Sequence, residues 1–258
     1  MRTMRQWLCL VKYRILSLLK YPADIVLGVL GTILWHMPNF VLITVIFQRT
    51  ECIEFSKGYL VLLYGLSVFG DGVQHTFAEA LWQFGNTHIK TAKYDEILTK
   101  PANSLMQVIS SRFDIDGFGG IILGTFCSFY GYAMLAPINM LGVIEILMAM
   151  ICSSLVFLGI NILTSAMAFL LYDNFFVTHT IFELHKFSRF PKEMYPKVIG
   201  IILTFVIPVF GATYYPANSL RNGIVTELLL CMCVCVIFLY ICILIWNACA
   251  RLYKSTGS

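Results

Sequence analysis

Charge is what this chain has least of. Only 12% of its 258 residues are Asp, Glu, Lys or Arg, while 59% are apolar. A soluble domain carries about 25% charged and roughly 45–50% apolar residues. Folded in water, such a chain would expose large apolar patches, which monomers avoid. A cytosolic enzyme, a disordered tail and a disulfide scaffold are thereby excluded. An all-α integral membrane protein remains. About 20 residues cross a bilayer as a helix, so six crossings take roughly half the chain and leave little for a soluble domain.

Chemical signatures are missing as well. No Gly-x4-Gly-Lys-Ser/Thr pattern occurs, so this chain has no P-loop for ATP. No His-Glu-x-x-His, Gly-x-Ser-x-Gly or paired-Asp motif of a metal-dependent lipid enzyme is visible. Ser153-Ser154 has no neighbouring His and reads as small-residue helix packing. The nine cysteines include no Cys-x-x-Cys pair, so neither a zinc nor a redox site is expected. Cys231, Cys235, Cys242 and Cys249 fall near one helical stripe and read as small buried hydrophobes.

Six apolar segments are present. They are Ile25–Phe47, Tyr59 to about Trp82, Ile115–Pro137, a run starting at Leu141, Val198–Gly211 and Ile224–Trp246. None alternates with period two, so helices and not a barrel are expected. An even number of crossings puts both termini on one side. All but three of the 18 Lys and Arg residues would then share that side. Among them are Lys90, Lys93, Lys100 and Arg112, then Lys186, Arg189, Lys192 and Lys197. Only Arg49, Lys57 and Arg221 fall opposite. Positive residues mark the cytoplasmic side.

Ahead of the first segment, 1–22 carries Trp7, Val11, Ile15 and Leu18 on one helical face and basic residues mostly on the other. This predicts an interfacial amphipathic helix. Lys12 and Arg14 interrupt any signal-peptide core. The fourth segment, Leu141–Phe176, is too long, at about 54 Å of helix against about 30 Å of hydrocarbon. It must tilt, break near Asn161 or Thr164, or project. The fifth is too short, at about 21 Å of helix, and contains Pro208. The stretch 209–222 is therefore expected to be a re-entrant or half-buried external hairpin. Pro208, Tyr214, Tyr215 and Pro216 would shape it.

Acidic residues avoid the segment centres. Asp24, Glu145 and Glu227 stand near ends. Asp71, His75 and Glu79 share a helical face in the second segment. They form either a polar wall of a transport path or a face turned to water or to a partner. Gly120, Gly124 and Ser128 permit close helix approach. The longest stretch outside the apolar runs is 84–118. It holds Ile97, Leu98, Leu105, Val108 and Ile109 to bury, and Pro101 would follow a short helix. Such a helix, parallel to the membrane, would present a docking knob to a cytoplasmic partner.

Four stretches in order carry a family resemblance. Tyr94-Asp95-Glu96-Ile97-Leu98-Thr99-Lys100-Pro101, with Gln107, Phe113-Asp114 and Gly117, resembles the acidic-x-x-Leu-x-basic-Pro loop of ABC-2 type permeases. Phe187-Ser188-Arg189-Phe190-Pro191 with Tyr195-Pro196 is similar to the family's aromatic-x-Arg-aromatic-Pro segment. Leu203–Pro208 with Tyr214-Tyr215-Pro216-Ala217 resembles its fifth span and hairpin. Arg251-Leu252-Tyr253 and the residues after it look like its C-terminus. The resemblance is to the bacterial branch that pairs two permeases with one ATPase. Asp95-Glu96 stands where that branch commonly has an acidic-aromatic or Phe-Asp pair.

This resemblance implies one ABC-2 domain over 1–258, with an elbow helix at 1–22, a cytoplasmic coupling region at 86–114 and the hairpin at 209–222. It implies a non-catalytic export permease in the bacterial plasma membrane, with both termini cytoplasmic. Asp95, Glu96, Ile97, Leu98, Lys100 and Pro101 would couple it to two copies of a cytoplasmic ABC ATPase, which would hold the ATP and Mg. This chain itself would hold no cofactor. A second, paralogous permease and membrane lipid complete the expected partners; nucleic acid is not among them. An integral membrane lipid-modifying enzyme and a proton-coupled secondary transporter are the alternatives. The first lacks a catalytic constellation, and the second would place an ionisable group nearer the midplane.

Overall fold

The structure, a computed structural model, describes residues 22–49 and 55–254. Every regular element among the described residues is helical. Helix α1 (Pro22–Arg49) begins on Pro22, whose missing amide needs no partner at a first helical position. The expected elbow, 1–22, lies outside the described residues apart from Pro22 itself.

Helix α2 (Lys57–Trp82) is the centre of the bundle. Ser56 caps it by accepting the Tyr59 amide. Helix α5 (Gly117–Ala133) lies against it more closely than any other pair. A Cβ on Gly65 would fall 2.4 Å from the Ser128 nitrogen, and one on Gly124 would fall 2.4 Å from that of Phe69. The stripe Gly120, Gly124, Ser128 thus meets a second one on α2, made of Gly58, Gly65 and Gly72 at every seventh residue. Two backbones in contact are what small residues permit between apolar helices.

Helix α6 (Met140–Ala166) starts at Asn139, whose side chain accepts the Gly142 amide. It runs unbroken past Asn161 and Thr164, the two positions where a break is expected. The interruption comes at Met167, before α7 (Ala168–Leu171), and Tyr172 (φ 59°) ends the run. Asn161 leaves its own helix intact because its amide has a better use. It donates to Gln74 Oε1 (2.7 Å) and to the carbonyl of Ala78 (3.2 Å) on α2. Ala78 departs from helical geometry (φ −130°, ψ 20°), so α2 kinks there and frees that carbonyl.

Helix α12 (Val225–Ala250) follows α6 in the same direction, with Phe238 and Cys242 against Gly159. Among the described residues, three helices are long and apolar enough to cross a membrane: Pro22–Leu42, Met140–Leu171 and Val225–Ala250. Helix α2 is as long as α12 but carries Asp71, His75 and Glu79, and α5 has 17 residues. The expected fifth segment supplies α9 (Lys197–Ile201) and a wide helical turn to Val206.

One expectation is corrected. The connection holding Lys186, Arg189 and Lys192 was placed with the basic side, opposite the hairpin. Instead α8 (Phe175–His185) and the turn Lys186–Arg189 climb along α2 from its Trp82 end toward its Tyr59 end. Phe182 touches Trp82, with ring centroids 4.1 Å apart; Ser188 Oγ lies 2.9 Å from Ser67 Oγ; and the Arg189 guanidinium sits 5.7 Å from the Tyr64 ring. Lys192 then donates to Tyr215 OH (3.0 Å), and Tyr214 OH donates to Glu193. The segment therefore touches the hairpin. Counting basic residues misplaced it because a count carries no depth. Arg189 is buried over an aromatic face, which attracts a cation.

Candidate functional site

The region after α2 forms a compact unit at the bundle's Trp82 end. A wide turn (Gly85–Ile89) leads to α3 (Lys93–Leu98), then α4 (Ser104–Ser111), capped by Asn103. The last carbonyls of α2 have no helical partners of their own. Ser165 Oγ donates to Leu81 O (2.8 Å), and Asn174 Nδ2 donates to Leu81 O (3.1 Å) and Trp82 O (3.2 Å). Asn174 Oδ1 accepts the Gly85 amide at 2.8 Å. One buried side chain thus ties the exit of α2 to α8. Asn174→Ala should cost about 1–3 kcal/mol, the penalty of stranding buried polar groups, measurable as a lowered denaturation midpoint in detergent.

An aromatic cluster anchors α3. Tyr94 and Phe84 are fully buried and meet edge-on at 5.6 Å. Trp246 of α12 lies 4.8 Å from Phe84 and 5.0 Å from Phe169, and Tyr253 lies 4.9 Å from Tyr94. Rings at these separations gain beyond the area they bury. The residues come from distant stretches of the chain, so sequence reading missed them; Phe and Trp at segment ends read only as apolar.

The six residues expected at the coupling site divide. Ile97 is 8% exposed and packs into this cluster, so it is a tether and not a contact surface; that assignment is corrected. The apex consists of Leu98, 54% exposed, with Glu96, Lys100 and Pro101 exposed beside it. Asp95 is half-buried on the same helix. Gln107 of α4 holds the turn by donating to Ile97 O (3.2 Å) and Ala102 O (2.9 Å). Lys90 Nζ reaches Asp173 Oδ2 at 2.6 Å. That bond holds the Asp173 carboxyl below its usual range. Its small contribution is present at neutral pH and fades as pH falls through the lowered value.

Asp71, His75 and Glu79 lie, half-buried, on one face of α2. Asp71 and His75 line a cleft of about 400 Å³ between α1, α2 and α5, with His36, Trp35 and Asp116. His75 Nε2 lies 3.6 Å from Glu79 Oε2. With Asp114 they form a group whose donor atoms lie within 4.8 Å of one another, the one set among the described residues with a metal-like arrangement. No spacing rule finds it, since Asp114 enters from the loop before α5.

The hairpin region consists of α10 (Val209–Ala212) and α11 (Tyr214–Asn222), separated at Thr213. Pro208 precedes α10, and Gly223 (φ 68°) ends α11 in the left-handed conformation that suits glycine. Val209 and Phe210 pack with Cys152, Val156 and Phe157, midway along α6. Ala217 and Leu220 pack nearer its start, with Ile146 and Met150. The chain therefore dips into the bundle and returns. Pro216 is buried, and Tyr214 and Tyr215 are half-buried.

A family model described as ABC-2 family transporter protein matches residues 33–257. The chain belongs to this family. The match covers most of the chain, including the α3–α4 unit, the hairpin region and the cleft residues Trp35, His36, Asp71, His75 and Asp116. As a member, the chain is the multi-pass membrane component of a transporter. Neither a curated protein nor a solved structure gives a match.

Proposed function

We propose that this ABC-2 permease is the non-catalytic membrane half of an ATP-driven exporter, moving a hydrophobic or amphipathic substrate outward across a bacterial plasma membrane. Six segments cross: α1, α2, α5, α6 with α7, the ascending Phe175–Arg189 stretch completed by the hairpin region, and α12. Both termini and the α3–α4 unit face the cytoplasm, where Lys90, Lys93, Lys100, Arg112, Arg251 and Lys254 collect. The hairpin region faces outward and closes the path.

The observation carrying this reading is the build of the α3–α4 unit. An exposed apex of Leu98, Lys100 and Pro101 stands on a helix whose buried Tyr94 packs on Phe169 of α7 and on Tyr253, just past α12. Force applied at the apex passes to the helices without bending the connection. Two copies of a cytoplasmic ATPase, holding ATP and Mg, dock there, and a second permease, a different paralogous chain, faces this one. ATP acts only through that partner, since an effector shifts an equilibrium by its preference for one state.

Co-purification tests this. The tagged chain, extracted gently from its native membrane, should carry an ABC ATPase, and a Lys100→Cys variant should cross-link to it. An isolated chain with lipid-modifying activity would favour the membrane-enzyme reading instead.

A further inference from the structure

The geometry points to the cleft between α1, α2 and α5 as a binding site for the ammonium group of an amphiphile. The inference deepens the transport reading by naming a substrate class, and it rests on that reading. Helix α1 meets the rest of the chain mainly at the start of α5, where Gly119 lies against Val29 and Thr32. One link is Thr32 Oγ1, which donates to the Asp116 carbonyl at 2.8 Å. Another is Tyr64 OH, which donates to the His36 carbonyl at 2.9 Å. Between these links the helices part, leaving about 400 Å³. That is within the range of small-molecule sites, about 300–1,000 Å³.

The walls are acidic and aromatic. Asp71 and Asp116 contribute carboxylates. Gln74 reaches Asp71 only at 3.4 Å, and the Asp116 carboxylate accepts no hydrogen bond among the described residues. Trp35, 73% exposed, lines the opposite wall. His36 is 4% exposed, lines the same cleft, and its Nδ1 has no hydrogen-bond partner among the described residues. An unprotonated imidazole nitrogen accepts from an N–H donor. Two under-used carboxylates, a free acceptor and an indole face are what an alkylammonium needs. An anion is disfavoured. No Lys or Arg lines the cleft: Arg112 pairs with Asp114 at 3.8 Å, and Arg189 lies over the Tyr64 ring.

The cleft also leads somewhere. His75, in the lining, also meets Glu79 and Asp114, so carboxylates continue along α2 toward the α3–α4 unit. A cationic head entering from that end meets negative groups in succession, while its chain lies along the exposed apolar side chains of α1, Leu27 among them.

The test is equilibrium binding of dodecylamine to the purified full chain in maltoside micelles, with dodecanol as the neutral control. Saturable binding of the amine and none of the alcohol is expected. Asp71→Asn with Asp116→Asn should weaken it about tenfold or more, the value of lost charged hydrogen bonds. Trp35→Ala, at an exposed position that folding does not need, should also weaken it severalfold. Competition by phosphatidylethanolamine would identify a lipid head as the source of the ammonium. Competition by free alkylamines alone would identify a single-chain substrate. Equal binding of amine and alcohol, or amine binding unchanged in both variants, would overturn the assignment. So would tight zinc or manganese binding that excludes the amine and is lost in Glu79→Gln, which would make this a metal site. No step uses an ATPase. Amine binding without a co-purifying ATPase would sink the exporter reading alone, and an ATPase without amine binding would sink only this inference.

Discussion

Leu98→Asp should abolish transport while leaving the membrane bundle folded. Leu98 is 54% exposed, at the apex of α3. A carboxylate there meets water in the isolated chain, so stability should change by no more than about 0.5 kcal/mol. Docked on the ATPase, the same carboxylate would be buried without a partner. An uncompensated buried charge costs about 3–5 kcal/mol, enough to weaken docking roughly 100-fold or more. Substrate-stimulated ATP hydrolysis and transport should fall to background, with expression and thermal midpoint unchanged. Normal rates in this variant would remove the apex from the contact. Ile97→Asp should behave differently: Ile97 is buried in the chain's own core, so the permease itself should be lost.

Trp246→Ala should be among the most damaging substitutions in the chain. The indole is fully buried on α12, between Phe84 and Phe169, and holds α3 indirectly through those rings. Truncating a buried aromatic costs about 3–5 kcal/mol, because the cavity fills only partly. Trp246→Phe should recover much of this. Two measurements separate global from local failure: the denaturation midpoint in detergent, and cleavage by trypsin at Lys90 and Lys93. The expected result is a lowered midpoint, with cleavage appearing at temperatures where the parent resists. A loss of less than about 1 kcal/mol, with unchanged cleavage, would show that α3 is anchored elsewhere.

The sequence by itself determined that the chain is a membrane protein of helices. Apolar runs of fixed length leave no other solution, because every backbone group in lipid must be paired within its own segment. It also placed Asp95, Glu96, Ile97 and Leu98 on a short helix and the chain break at Pro208, where a missing amide stops a helix whatever surrounds it. Depth and partnership were decided only by the tertiary structure. Ile97 and Leu98 are adjacent and equally apolar, and their opposite fates depend on the buried cluster to which Phe169 and Trp246 belong. Asn161 reads as a helix breaker until Ala78 offers it a carbonyl. Arg189 reads as a cytoplasmic charge until the Tyr64 ring covers it. Asp116 completes the acidic cleft, and Asp114 the group with His75 and Glu79, from a loop far along the chain from His36. In each case the deciding neighbour lies tens of residues away. Residue patterns record local periodicity, and the pairing of distant groups comes only from packing.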